Sequence, residues 1–101
     1  MDTQTLIIDS KARFNHNLAK QYLKDKYQSK LTFADQNGLW VANVNLLSYL
    51  SNSDAEKLIL IDEYENPVQV NRMALLKKAS EIYKIIMQQW HDEWAILEKK
   101  R

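Results

Sequence analysis

The sequence predicts a single α+β domain: a small antiparallel sheet of about four strands, formed by two hairpins, with an N-terminal amphipathic helix and a long C-terminal helix. Three observations predict it. The middle of the chain holds two pairs of short β-prone runs, both ends carry apolar residues at helical spacing, and there is one Gly and one Pro in 101 residues. With so few turn formers, most residues must lie in regular elements joined by short polar connections. A chain of this length buries roughly 65% of the surface its unfolded form exposes, which supports one modest core, so residues 1–101 read as one domain.

The first helix is predicted over residues 10–28, where Phe14, Leu18 and Tyr22, with Ala19 and Leu23 beside them, recur every three or four residues. Asp9 or Ser10 is placed to cap its first turn, and Lys20 and Lys24 fall on the opposite face. Residues 31–42 hold two β-prone runs around Asn37-Gly38. That pair accepts positive φ, which predicts a hairpin turning at the chain's one glycine. Residues 45–50 predict a short capped helix, and Ser53-Asp54-Ala55-Glu56 has the pattern of a capping box opening one more turn. Residues 57–62 and 67–70 predict a second hairpin around Glu63-Tyr64-Glu65-Asn66. Pro67 cannot donate to a ladder and belongs at the start of its strand or on an edge. Phe33, Val41, Leu58, Leu60, Val68 and Val70 are the expected inward positions of the sheet.

Asn71 is a good N-cap for the last helix, predicted over residues 72–99 and roughly 42 Å long. Leu76, Ala79, Tyr83, Ile86, Trp90, Trp94 and Leu97 step along it by three and four, and Leu75, Ile82 and Ile85 widen the stripe in its first half. The first half is therefore expected to lie on the sheet, with Leu76, Ala79, Tyr83 and Ile86 inward. The second half narrows to a seam.

Hydrophobic residues make up 46% of the chain and charged residues 27%, close to globular averages, so neither disorder nor a fibre is indicated. The absence of cysteine excludes disulfides and thiolate metal sites. Met1-Asp2-Thr3-Gln4 lacks the start of a secretory signal, and the longest apolar run, Leu58-Ile59-Leu60-Ile61, is too short to span a bilayer. The expectation is a cytoplasmic protein without a membrane role. Formal net charge is +1, unevenly spread: residues 1–30 hold six bases and three acids, residues 31–66 one base and six acids, and the remainder seven bases and four acids. Two basic helical ends thus flank an acidic middle, a pattern suited to head-to-tail packing or to steering a charged partner, the alternative being an ordinary solvated surface.

One glycine cannot build a phosphate-binding loop, and no nucleotide fingerprint is present. His16 and His91 lack metal-ligand spacing to another histidine, and His91, Asp92 and Glu93, each about 100° from the next on a helix, cannot converge on one ion. Ser48, Ser51 and Ser53 have no nucleophile-elbow setting. The expectation is no enzyme, no metal and no cofactor.

Two binding signals remain. Trp90 and Trp94 share a helical face near the far end of the last helix, and tryptophan is enriched at interface centres. With Tyr83 and Leu97 they form a candidate partner interface; the alternative is that the rings cover the first helix or the sheet edge of the same chain. Lys11, Arg13, Lys20 and Lys24 form a candidate electrostatic patch, with Tyr22, Tyr27, Phe33 and the tail Lys99-Lys100-Arg101 as further elements of a nucleic-acid reading. The sequence pI near 7.9 disfavours nucleic acid, so a protein partner, or a second copy in a homo-oligomer, is the expected ligand.

The runs Lys11-Ala12-Arg13-Phe14-Asn15-His16-Asn17, Leu31-Thr32-Phe33-Ala34-Asp35, Gly38-Leu39-Trp40 and Glu65-Asn66-Pro67-Val68-Gln69-Val70-Asn71-Arg72 resemble those of small accessory proteins of tailed, T4-like bacteriophages. The layout of two hairpins and a long helix is similar to small domains of phage tail-fibre assembly proteins. The resemblance implies a virion component or an assembly factor, in host cytoplasm or virion, with no catalytic residues to carry over. Two readings follow: a structural or assembly module acting through the long C-terminal helix, or a small regulatory binder of an enzyme or nucleic acid acting through the basic first helix.

Overall fold

The computed structural model describes the backbone of residues 3–100 and the side chains of residues 13–100. The elements run α1 (Thr3–Lys30), β1 (Thr32–Asp35), β2 (Gly38–Val41), α2 (Val44–Asn52), β3 (Lys57–Ile61), β4 (Pro67–Asn71) and α3 (Arg72–Lys99). This is the expected α+β order. The four strands, however, form two separate two-stranded antiparallel sheets, β1–β2 and β3–β4.

Asp62 supplies the reason the sheets stay separate. Its carboxylate accepts backbone N–H groups from Leu39 at 3.1 Å, Tyr64 at 3.0 Å and Asn66 at 2.9 Å, while Glu63 N–H donates to the Leu39 carbonyl at 2.9 Å. The free edge of β2 is thus met by a turn and a carboxylate where a third strand would have to lie. Asp62 is buried, and its three backbone donors, Asn66 first, hold its carboxyl below the ordinary Asp value. A second link is made by Gln36, whose amide accepts from Asn71 N–H at 2.6 Å and donates to Asn71 C=O at 3.2 Å, imitating one strand pair.

The first hairpin turns one residue earlier than its sequence signal. Gln36 (φ 48°) and Asn37 (φ 64°) take the two left-handed positions of a two-residue turn of I′ type, and Gly38 has no positive φ. Glycine is required at 38 for space: a Cβ there would stand 2.5 Å from Trp40 Cζ2 and 2.8 Å from Cε2. The Trp40 indole lies back over Gly38 and donates to the Asp35 carbonyl at 2.8 Å. Pro67 opens β4 opposite Ile61, as a residue without an N–H should.

Other boundaries shift for local reasons. Helix α2 begins at Val44 instead of residue 45, and Asn43 caps it by accepting Leu46 N–H at 2.8 Å. Residues 53–56 form no helical turn. Arg72 holds that stretch extended, donating to Ala55 C=O at 2.8 Å through Nε, to Leu50 C=O at 2.9 Å through Nη1, and to Glu56 C=O at 3.0 Å through its backbone. Asn71 caps α3 as expected, accepting Ala74 N–H at 3.0 Å. Helix α1 begins at Thr3, so Asp9 and Ser10 lie within its body instead of at its start.

The core consists of Leu31, Phe33, Trp40, Ala42, Leu50, Val70, Leu75 and Ala79, with Val41, Leu58, Leu60 and Val68 packed against it, so all six expected inward strand positions contribute. On α3 the fully buried positions are Leu75 and Ala79; Leu76, Ile82, Tyr83 and Ile86 are half-buried around them. The α1 face is corrected more sharply. Phe14, Leu18 and Tyr22 are all more than half exposed, and Leu23 and Tyr27 are the buried residues.

Gly38→Ala is expected to cost about 1–3 kcal/mol through overpacking against Trp40, measurable by urea unfolding, with a changed near-UV circular dichroism signal from the displaced indole. Asp62→Asn should lower the unfolding midpoint at neutral pH, because an amide cannot accept from Leu39 and the 64–66 turn together. Because the Asp62 pKa is depressed in the fold, its stabilisation is complete above pH 3.8 and is lost as pH falls through the lower folded value. The variant should therefore lose less stability than the parent in acid unfolding below that pH.

Candidate protein-binding site

Helices α1 and α3 run antiparallel: His16 lies beside Glu98, Lys26 beside Glu93, and Tyr27 beside Trp90. The hairpins and α2 occupy only the first half of α3, so its second half and α1 form a two-helix arm in a molecule 65 × 24 × 20 Å in extent. The arm's seam carries Ala19, Leu23 and Tyr27 from α1 against Trp90, Glu93 and Leu97 from α3.

Glu93 is the polar lock of that seam. It accepts from Lys26 Nζ at 2.8 Å and from the Tyr27 hydroxyl, and the Tyr27 ring stacks on Trp90 with centroids 6.2 Å apart and planes 12° from parallel. Lys26 and Lys30 both hold their Nζ atoms 5.1 Å from the Tyr27 centroid. The Lys26 hydrogen bond, then that of Tyr27, lowers the Glu93 pKa; the bonds to Glu93 raise those of Lys26 and Tyr27. Near the far end, His16 Nε2 stands 3.3 Å from Glu98 Oε1, in ion-pair range but without hydrogen-bond geometry.

Trp94 stands at the rim of the seam. It is 41% exposed and tilted against His91, with ring centroids 5.8 Å apart. With Trp90 and Leu23 it forms the apolar lining of a groove of ≈ 560 Å³ whose polar lining is Asn17, Lys20, Gln21 and Lys24. The aromatic candidates and the lysine candidates, separate signals in the sequence, thus meet in one groove. Arg13 lies seven residues before Lys20 on the same side of α1, lining the next depression with Leu97 and Lys100. Among the described residues Arg13, Lys20 and Lys24 have no acidic partner. Tyr83 is elsewhere, packed against the core, and the side chain of Lys11 falls outside the described residues.

Glu93 was missed by the sequence reading, although its signal is present: of the two carboxylates between Trp90 and Leu97 it is the one three residues after Trp90 and four before Leu97, on the line of the apolar seam. Among the described residues no group of three His, Asp or Glu side chains is placed to hold a metal ion. No described helix is long and apolar enough to cross a membrane. Compared with family models, curated proteins and solved structures, the chain gives no match.

The Glu93 network sets a pH window for the arm. Its carboxylate stabilises the pairing above pH 4.5, and that contribution is lost as pH falls through the depressed folded value. Lys26 and Tyr27 contribute below 10.5 and 10.0 and lose their contribution as pH rises through their raised values. Glu93→Gln should flatten both limbs of a pH titration followed by near-UV circular dichroism of the Tyr27–Trp90 pair.

Proposed function

We propose that this chain is a non-catalytic protein-binding module whose arm captures an acidic, amphipathic segment of another protein in the Trp94 groove. The observation that supports this reading is the conjunction of a solvent-facing tryptophan with two lysines that have no acidic partner among the described residues. An apolar side chain of the partner would cover Trp94, and carboxylates beside it would meet Lys20 and Lys24, with Arg13 extending the basic rim. A partly desolvated aromatic anchor ringed by polar groups is the arrangement that concentrates binding energy at interfaces. The setting, a virion component or an assembly factor of a tailed phage, rests on the resemblance alone.

The same lysines serve the second reading, binding of nucleic acid along α1. Salt separates the two, because each phosphate contact adds close to one unit of logarithmic salt slope, whereas a Trp-centred contact with two or three ion pairs responds weakly.

Trp94→Ala is expected to leave folding stability within about 1 kcal/mol of the parent, since the ring is largely outside the core. Trp90→Ala, which removes the stack on Tyr27, should cost roughly 2–3 kcal/mol. Affinity capture from the native source, compared between the parent and either Trp94→Ala or Lys20→Glu with Lys24→Glu, provides the functional test. One partner retained by the parent and lost by both folded variants is the expected result. A partner retained by both, or bound with the steep salt dependence of phosphate contacts, overturns the reading.

A further inference from the structure

The opposite side of α1 carries an apolar stripe that the fold does not use. Phe14 is 63% exposed, Leu18 53% and Tyr22 67%, and their spacing of four aligns them along the helix away from the Lys20 and Lys24 side. No charge interrupts the stripe between residues 14 and 22; it is flanked by the amides of Asn15 and Gln21. We infer that this stripe is the interface of a symmetric dimer, in which α1 of one protomer packs antiparallel on α1 of its partner with Leu18 on the two-fold axis.

The order of side chains is what fits this occupant. An aromatic, a leucine and an aromatic at equal intervals are self-complementary under a two-fold rotation, so one patch serves both protomers. In that register Phe14 meets Tyr22 of the second copy, Asn15 meets Gln21, and Leu18 meets Leu18. The basic position Lys11 falls opposite the acidic Asp25, which matches charge at the ends of the stripe.

Two features of the fold support the same register. Tyr22 forms one wall of a groove of ≈ 220 Å³ with Ala19, Leu23, Ile96 and Leu97, open on this side of the arm, and Phe14 of the second copy would arrive at its mouth. Leu18 also lies within two residues of the middle of α1, which spans residues 3 to 30. Antiparallel copies centred there overlap over about 25 residues, roughly 37 Å. Among the described residues, the end of α3 lies beside Arg13 and His16, at Leu97 to Lys100, so the helix backbone that starts at Thr3 carries the first turns of α1 past the end of α3. In the dimer they run along the C-terminal half of the partner's α1, and the two α/β bodies stand at opposite ends. The Trp94 groove faces the other way, and of its lining only Gln21 also borders the stripe.

Sedimentation velocity of the full chain over a concentration series is the first test. The expected result is a reversible dimer that Leu18→Glu weakens by about tenfold or more, because two carboxylates then face each other on the axis. Circular dichroism should be unchanged, as Leu18 is exposed in the single chain, and Trp94→Ala should leave the dimer intact. The absence of cysteine makes the register directly readable: under oxidised glutathione, Leu18→Cys should cross-link with itself. Phe14→Cys should cross-link with Tyr22→Cys in a mixture and poorly with itself. A chain that stays monomeric up to about 1 mM overturns the proposal, as does a dimer indifferent to Leu18→Glu. Self-cross-linking of Phe14→Cys as efficient as that of Leu18→Cys indicates parallel helices and overturns it equally.

Discussion

Leu75 and Ala79, neither with any solvent exposure, fix the first half of α3 beneath the hairpins and α2. An α-helix is stiff over its length, so anchoring one half determines where the other half points and which of its faces is available. Trp90, Glu93 and Leu97 continue the stripe that Leu75 and Ala79 begin, and α1 comes to lie on that continuation. The arm is therefore a consequence of the core: one helix serves two environments, an α/β body and a helical partner, without a break between them. Asn71 makes the continuity possible by ending β4 and capping α3 in a single residue.

The elements themselves were legible because their signals are local. The 3.6-residue period of α3, the β-branched and apolar runs of β3 and β4, the cap at Asn71 and the proline at the start of β4 each specify structure within a few residues. What was not legible depended on a distant partner. Residues 14, 18 and 22 and residues 19, 23 and 27 are both helix-spaced apolar sets on α1, and periodicity cannot say which one faces α3. The choice falls to Tyr27, whose hydroxyl finds Glu93 and whose ring finds Trp90, a preference set by a residue 66 positions away. Likewise Gly38 was readable as a needed glycine but not as one needed for the Trp40 ring. The separation of the two sheets rests on Asp62, which reads locally only as the last residue of a strand.

The same logic applies to the candidate site. Trp94 and the pair Lys20 and Lys24 were each visible as features that a self-contained core leaves unexplained, and they pointed to different ligands. Their convergence depends on the antiparallel register of α1 on α3, which no stretch of either helix encodes alone. Once that register is fixed, aromatic and basic groups become two parts of one surface. Tyr83 shows the converse. It has helical spacing to Trp90, yet it falls where the body still covers α3, so a continuous stripe in sequence is divided into core and arm by where the hairpins end.

The division also distributes stability. The core cluster draws its buried members from residues 31 to 79, and α1 reaches it only where it ends, through the adjoining Leu31. The arm is held by a narrow seam with one carboxylate network, while its outer sides present Trp94 beside Lys20 and Lys24, which pair with no acid among the described residues, on one flank and an amide-bordered apolar stripe on the other. A segment with few buried contacts sits at the low end of the local stability scale, and binding surfaces are drawn from that end. Each arm surface is short of a partner in a chemically distinct way: one lacks negative charge beside an apolar cover, the other lacks only a copy of itself. Occupying the stripe would order α1 on its outer side and thereby stiffen the helix that carries Lys20 and Lys24. The two surfaces share that helix and, at their common border, the Gln21 side chain, while Trp94 and the lysines lie on one flank and Phe14, Leu18 and Tyr22 on the other.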